Sequence, residues 1–374
     1  MRYIQGRDNL SCTIFVPWDC NNHCKFCTSK AMYKTRECSM DAILYQIKKI
    51  NENPFIKEFV LTGGEPLADI NKLQILLDAI EKPVYVNTTF PLTENKDEII
   101  KFLNNSNIAG INISRHIHQG FYENVLPFTE FYKIKIPIKM NVVISQKFDI
   151  NEFMEFIEPL RCLNLDKFLI CLRADYRNIT KDNLKNRDDV FDSLMDKFEY
   201  LYSGGCMVCN DDRFYDDDFT ISYHRGMEQS LVSYGRRRYV NDVIVTIDGM
   251  VYPDWNFVSD IGFEKWLFGA FDLDDDMSEY EKDTKYIEWV IDKKYLEMQK
   301  DKVNKGEIIF APSGEVYVMD MAGKPQKLHP SLESSAHFKF YKRNGIHAKF
   351  MEQPPYHSEK QSIGGCYSSG IGSC

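Results

Sequence analysis

Cys20, Cys24 and Cys27 stand close together in the run Asp19-Cys20-Asn21-Asn22-His23-Cys24-Lys25-Phe26-Cys27, just after the apolar segment Leu10 to Val16. A closed zinc site takes four protein ligands, whereas three thiolates on a [4Fe–4S] cluster leave one iron open to bind and reduce something else. The run therefore reads either as a structural zinc knuckle or as a reactive cluster. His23 could complete the zinc site but would close the open iron, and it reads as a loop residue.

Other residues suited to chemistry follow at intervals. In Thr62-Gly63-Gly64-Glu65-Pro66 the glycines allow close backbone approach, Glu65 offers a charged acceptor and Pro66 fixes the next turn; the alternative is a plain strand-to-loop turn. Asn87-Thr88-Thr89 comes next, then Asn112-Ile113-Ser114-Arg115-His116, where Ser114 brings a hydroxyl and Arg115 a planar fork for a carboxylate or an ordinary ion pair. Asn141 lies in a later apolar run. Asp175 and Tyr176, in Arg173-Ala174-Asp175-Tyr176-Arg177, are candidates for substrate contact or for a proton or hydrogen-atom relay. His116 and His118 read as structural histidines.

The elements that must position these residues alternate. Short apolar runs predict strands near 10–16, 57–62, 83–89, 107–114, 137–144 and 167–172, and helix-length segments lie near 39–51, 69–80, 94–104, 118–126, 149–160 and 184–201. Ser39, Asp69, Thr93 and Asp149 are candidate helix caps. A succession of βα units implies a parallel sheet, either doubly wound or curled into a barrel, and in both the working edge is the carboxyl ends of the strands. The residues singled out above fall on that edge.

Taken together, Cys20-x3-Cys24-x2-Cys27, the aromatic Phe26 before the third cysteine, and Gly63-Gly64-Glu65-Pro66 closing the second strand resemble the radical SAM superfamily. The resemblance covers roughly residues 8–200 and implies a partial (β/α)6 barrel. Cys20, Cys24 and Cys27 would hold a [4Fe–4S] cluster whose open iron is chelated by the amino and carboxylate groups of S-adenosylmethionine (SAM). Phe26, Gly63, Gly64, Glu65, Pro66, Asn87, Ser114, Arg115 and Asn141 would bind the cofactor, with Ser114 at the ribose and Arg115 at the methionine carboxylate. The segment around Asn141 lacks the glycine-rich form that some members show there. A reductant such as flavodoxin or ferredoxin would be the electron-delivering partner.

Beyond about residue 204 the βα rhythm stops, so the reading divides the chain into a barrel (1–204), a smaller α+β extension (205–362) and a glycine-, serine- and cysteine-rich tail (363–374). A hairpin is predicted with Asp242 to Ile247 turning at Asp248-Gly249, a long amphipathic helix over Met277 to Val303, and a second hairpin at Ser313-Gly314. Cys206-x2-Cys209 with the phrase Val243 to Pro253 resembles the SPASM/Twitch-like extension of the peptide-modifying and molybdenum-cofactor-synthesis branches, which carries auxiliary iron–sulfur clusters. Where that phrase usually ends in cysteine, this chain has Asp254-Trp255. Cys206, Cys209, Cys366 and Cys374 could together complete an auxiliary cluster, or the first pair is a residual zinc knuckle or two ordinary thiols. Cys12, Cys38, Cys162 and Cys171 read as small core residues.

Composition bounds the rest. The chain of 374 residues is 44% hydrophobic with 13% aromatics, enough for a substantial core. It shows neither a signal peptide nor an apolar run of membrane-spanning length, and eleven cysteines without an export signal favour metal ligation over disulfides, so a cytoplasmic protein is expected. A net charge of −9 offers no attraction for phosphate backbones, which disfavours nucleic acid as a partner. The expected function is a radical SAM enzyme acting on a peptide or protein side chain, with a small-molecule or nucleotide-derived substrate as the alternative. A zinc-binding interaction protein is the non-enzymatic rival.

Overall fold

The computed structural model describes residues 2–5, 10–20, 27, 29–115, 125–144, 148–163, 168–174, 181–204, 211–216, 218–224, 231–234, 237–269, 308–310, 316–319, 324–327, 338–340 and 349–351. In chain order the elements that bear on function are β1 (Arg2–Gln5), β2 (Leu10–Val16), α1 (Lys30–Thr35), α2 (Met40–Asn51), β3 (Ile56–Gly63), α3 (Ile70–Ala79), β4 (Val84–Thr88), α4 (Lys96–Asn105), β5 (Ile108–Ser114), β6 (Ile138–Ile144), α5 (Ile150–Arg161) and β7 (Phe168–Ala174). After these come α6 (Lys181–Lys197), β8 (Glu199–Gly204), β9 (Asp211–Asp216), β10 (Phe219–His224), β11 (Leu231–Tyr234), β12 (Arg237–Val240), β13 (Asp242–Val245), β14 (Val251–Tyr252) and α7 (Ile261–Phe268). One compact unit takes in the described residues up to 179 and those from 228 to 280; a second takes in 180–227 and the described residues from 281 to 366.

In the first unit β2 to β7 pair in parallel in the order of the chain, flanked on the β2 side by β13 and β14. Sequential order settles the choice between the two α/β architectures. A doubly wound sheet reverses its strand order at a switch point, whereas strands added always on the same side, with right-handed crossovers, place their helices on one face as in a barrel.

The two faces differ sharply in chemistry. One carries Cys12, Ile14, Phe59, Leu61, Val84, Val86, Ile111, Ile113, Met140, Val142, Ile170 and Leu172, all buried; it suits the buried sides of α2 (Ile43, Ile47, Ile50), α3 (Leu73, Leu76, Leu77) and α5 (Phe153, Ile157, Leu160). The other carries Ser11, Thr13, Thr62, Asn87, Asn112, Ser114, Lys139, Asn141 and Arg173, also buried. Register confirms the shared face: Asn87 lies beside Asn112, Asn112 beside Lys139 and Ser114 beside Asn141. A parallel strand covered on both sides is ordinarily apolar throughout, so this polar face is an inner wall shaped for something other than packing.

Helix starts follow capping chemistry. Ser39, Asp69 and Asp149 accept hydrogen bonds from Ala42, Lys72 and Asn151 backbone amides at 3.2, 3.0 and 2.8 Å. The fourth cap differs: α4 begins after Asn95, and Thr93 is not its cap. The helix expected over 118–126 falls largely outside the described residues, with Val125 pairing Pro91 in a single bridge. The helix expected to run to 201 stops at Lys197, because Glu199–Gly204 is a strand.

The predicted hairpin is present, with Gly249 at φ 75° and its N–H donating to Thr246 O at 2.8 Å. It joins the main sheet: β13 runs parallel to β2, Asp242 beside Ser11, and the Ser11 hydroxyl donates to Asp242 Oδ1 at 2.9 Å. Its turn rests on α2, where a Cβ on Gly249 would stand 2.6 Å from Ala42 Cβ. Arg36, after α1, donates to Asp248 Oδ2 at 3.1 Å and to the Tyr252 hydroxyl at 2.8 Å. β1 pairs in parallel with β12, and Asp260, capping α7, accepts from the Tyr3 hydroxyl at 2.5 Å and Arg238 at 2.7 Å.

In the second unit β8, β9 and β10 pair antiparallel. Segments 308–310 and 316–319 pair antiparallel across the expected turn at Ser313-Gly314, which lies outside the described residues, as does the expected helix over 277–303. No helix among the described residues is long and apolar enough to cross a membrane.

Candidate active site

The loop of Cys20 and the turn of Gly63-Gly64-Glu65-Pro66 leave adjacent strand ends, since Val16 lies beside Gly63. Their backbones meet. A Cβ on Gly64 would stand 1.9 Å from Trp18 O, and one on Gly63, at φ +107°, would stand 2.5 Å from the Tyr33 hydroxyl. Only glycine fits either place. Side chains fasten the contact further: Trp18 Nε1 donates to Glu65 O at 2.8 Å, while the Tyr33 hydroxyl donates to Val16 O at 2.7 Å and accepts from Gly64 N–H at 2.5 Å. Burial pushes the Tyr33 phenol well above its ordinary pKa, so it remains a donor.

Of the three loop thiols, Cys20 and Cys27 are described, both half-buried and outside any disulfide; Cys24 and Phe26 lie outside the described residues. Asp19 Oδ1 accepts from Cys20 N–H at 2.7 Å. Ser29 precedes α1 yet does not cap it with its side chain; its hydroxyl instead shares a 3.3 Å hydrogen bond with Cys27 Sγ. Beneath α1, Met32 joins Phe15, Ile244, Ile247 and Tyr252 in an apolar cluster backed by Tyr33, Trp255 and Phe257. Trp255 sets its ring edge-on to Phe15 at 5.7 Å.

Glu65 is 2% exposed, and its carboxylate has four donors from the protein. Oε1 accepts from Leu67 N–H at 3.0 Å and from the Thr88 hydroxyl; Oε2 accepts from Thr89 N–H at 2.8 Å and the Thr89 hydroxyl at 2.7 Å. A carboxylate has about four acceptor positions, so the acceptor expected to face a cofactor amine is occupied within the protein. Burial pushes this carboxyl above its ordinary value, against the pull of the Thr88, Thr89 and Leu67 donors.

Arg115 is neither a surface ion pair nor exposed. Its Nη1 donates to Thr89 O and to Ser114 O at 2.7 Å, its Nη2 donates to Leu126 O at 2.8 Å, and the guanidinium lies 5.6 Å from the Phe131 ring centroid. Thr88 and Thr89, grouped in the sequence only as the end of a strand, prove to be the residues that join Glu65 to Arg115. Phe90, next in line, holds φ 50° with its N–H on the Thr88 hydroxyl at 2.8 Å.

On the inner wall the Asn112 amide donates to Asn87 Oδ1 at 2.5 Å, leaving Asn87 Nδ2 without a partner, and Thr62 Oγ1 and Asn141 Oδ1 are likewise buried without a hydrogen bond. A hydroxyl, an amide donor and an amide acceptor, all desolvated on one face, suit a polar ligand such as SAM. Asp175, Tyr176, Cys206, Cys209, Cys366 and Cys374 lie outside the described residues. Cys12 and Cys171 are buried as expected, but Cys38 and Cys162 are exposed, because each follows a helix end and not a strand interior.

Residues 19–166 match the family model described as the Radical SAM superfamily. No curated protein sequence matches the chain. Among solved structures, SuiB of Streptococcus suis bound to S-adenosylmethionine is similar at 12% identity and TM-score 0.46, over 69% of this chain and 65% of that one. SuiB bound to the precursor peptide SuiA is similar at 14% identity and TM-score 0.47, over 72% and 66%. Native anSMEcpe with bound AdoMet and Cp18Cys peptide is similar at 17% identity and TM-score 0.45, over 73% and 80%. The chain thus spans slightly less than two thirds of the length of SuiB. The stretch of the chain that resembles the Radical SAM superfamily is thus residues 19–166, and the cofactors of that enzyme family are a [4Fe–4S] cluster and SAM.

Proposed function

We propose that this chain is a radical SAM enzyme that removes a hydrogen atom from a side chain of a peptide or protein. The observation that carries the reading is the backbone contact of Gly64 with Trp18, which joins the cysteine loop to the Gly63-Gly64-Glu65-Pro66 turn. Cys20, Cys24 and Cys27 hold the cluster, and the turn at Gly63 and Gly64 lets the methionine end of SAM approach the backbone beside it. Once bound, cluster and SAM supply an electron and a 5′-deoxyadenosyl radical.

The chain's own residues orient and enclose. Glu65 acts through Thr88 and Thr89, fixing the end of β4 against β3; Arg115 gathers the carbonyls of Thr89, Ser114 and Leu126 into the wall beside it. Asn87 and Asn141 turn unpartnered amide atoms toward the ligand. Phe15, Tyr252, Trp255 and Phe257 keep water from the floor under α1. Asp175 and Tyr176, following β7, serve the substrate as contact or relay. Support for a peptide substrate lies in the resemblance of Cys206-x2-Cys209 and Val243 to Pro253 to the peptide-modifying branch.

Anaerobic reconstitution tests the reading. Brown protein that releases 5′-deoxyadenosine from SAM under a strong reductant is expected, and colourless zinc protein without SAM cleavage would overturn it. Iron content tests the second set of cysteines: about eight irons per chain means that Cys206, Cys209, Cys366 and Cys374 add a cluster, and about four means that they do not.

A further inference from the structure

The buried cysteines Cys12 and Cys171 sit on opposite faces of the barrel sheet. Cys12 on β2 lies beside Phe59 on the apolar face. Cys171 on β7 lies beside Asn141 of β6, with its chain neighbours Ile170 and Leu172 on the apolar face, so it stands on the polar inner wall. Both thiols are outside any disulfide.

Packing accounts for a thiol among Ile14, Phe59 and Leu61, where a small apolar side chain is wanted. It does not account for one in the row Ser114, Asn141 and Cys171, which crosses the sheet through register partners on β5, β6 and β7. A thiol differs from the hydroxyls and amides of that wall in the strength of its bond to hydrogen. The S–H bond is weaker than an alkyl C–H, O–H or amide N–H bond, so a carbon radical takes its hydrogen atom readily. The row also lies where such a radical arises. Ser114 is the residue expected at the ribose, the sugar whose 5′ carbon becomes the radical centre. Asn141, 4% exposed, keeps Oδ1 without a hydrogen bond and is read above as facing the same cofactor. Cys171 is its neighbour, one strand spacing or about 4.8 Å away between backbones.

We propose that Cys171 is a hydrogen-atom donor, its Sγ–H quenching a carbon radical formed against the inner wall. The new C–H bond forms as the S–H bond breaks and leaves a thiyl radical on Cys171. One electron from the low-potential one-electron donor that drives SAM cleavage, with a proton from solvent, restores the thiol. A substrate radical resolved in this way regains the hydrogen it lost, so connectivity is kept and what changes is the configuration at that carbon. This rests on the radical SAM reading and adds to it the class of outcome.

The test uses SAM alone as the probe, since the 5′-deoxyadenosyl radical is itself a carbon radical at that wall. Holoenzyme reconstituted in heavy water, freed of added thiols and reduced with titanium(III) citrate is expected to give 5′-deoxyadenosine carrying one deuterium, drawn from the exchanged thiol of Cys171 and read by mass spectrometry. Cys171→Ala and Cys171→Ser should lose that label, the serine O–H bond being too strong for the radical to break. Cys12→Ala, which removes a buried thiol from the other face, should keep it. The label is counted per molecule formed, so a lower yield from a weakened variant does not alter it. Unlabelled product from the wild type, label that persists in either Cys171 variant, or a loss shared by Cys12→Ala overturns the proposal. If the wild type forms no 5′-deoxyadenosine, the radical reading falls and takes this inference with it; product formed without label leaves that reading standing.

Discussion

Glu65 and Arg115 hold Thr89 from opposite sides: Glu65 Oε2 accepts from both the N–H and the hydroxyl of Thr89, and Arg115 Nη1 donates to its carbonyl. One residue at the end of β4 is thereby fixed by the ends of both neighbouring strands. Thr89 sits just before Phe90, whose left-handed φ of 50° is a conformation that needs such support.

Glu65→Ala should therefore act first on stability. It strands the Thr88 hydroxyl, both donors of Thr89 and Leu67 N–H, and the expected loss is about 3–5 kcal/mol, the cost of breaking a buried charged network. Urea denaturation of the cluster-free protein measures it. A variant as stable as the wild type but weakened for SAM would show that the carboxylate serves the cofactor directly.

Gly64→Ala should separate the two loops. Its methyl group cannot share space with Trp18 O, so the turn must withdraw from the cysteine loop. Iron retained after anaerobic reconstitution should drop well below the wild-type content, and iron retained at the wild-type content would show that the contact is not needed to hold it.

Ser29→Ala should alter the cluster without removing a ligand. The hydrogen bond of Ser29 to Cys27 Sγ stabilises the more electron-rich, reduced state, so its loss should shift the midpoint potential downward. Redox titration followed by electron paramagnetic resonance reads this directly, and an unmoved potential would place the hydroxyl outside the cluster's influence.

Asp260 gives the fold a defined acid dependence. The hydrogen bond from Tyr3, with those from Gly262 and Phe263 and the charge of Arg238, holds its carboxyl below the usual range despite partial desolvation. A depressed carboxyl contributes stability above its unfolded pKa of about 3.9 and loses it as pH falls through the lower folded value. Asp260→Ala should cost about 1 kcal/mol at neutral pH, as for a lost helix cap, and its difference from the wild type should shrink below about pH 4. Melting temperatures of both proteins across pH 2.5–7, a range of about five units, supply the comparison.

Local rules carried most of the barrel. Strands β2 to β7 stand where apolar runs announced them, and Ser39, Asp69 and Asp149 cap as their chemistry requires. Thr93 is not a cap because α4 starts later, after Asn95, whose side chain makes no capping hydrogen bond either. The helix expected to run to 201 ends at Lys197, and its last expected residues belong to the strand Glu199–Gly204, whose alternating tyrosines suit an element with partners to pair with. What local pattern could not convey was partnership at distance. Three of the four donors to Glu65 come from Thr88 and Thr89, at the end of the next strand, and the parallel partner of the hairpin lies at the other end of the barrel sequence.

That pairing also sets an order of events during synthesis. The strand that feeds the cysteine loop is flanked on one side by β3 and on the other by β13, whose Asp242 stands 231 residues beyond Ser11. Arg36 and Ser39, just past the loop, are likewise tied to Asp248 and Ile247. A nascent chain thus exposes its thiols early but cannot close the ground beneath them until the ribosome has passed Tyr252. The cysteine loop therefore gains its full support only after a strand whose Asp242 lies 231 residues beyond Ser11 has been made.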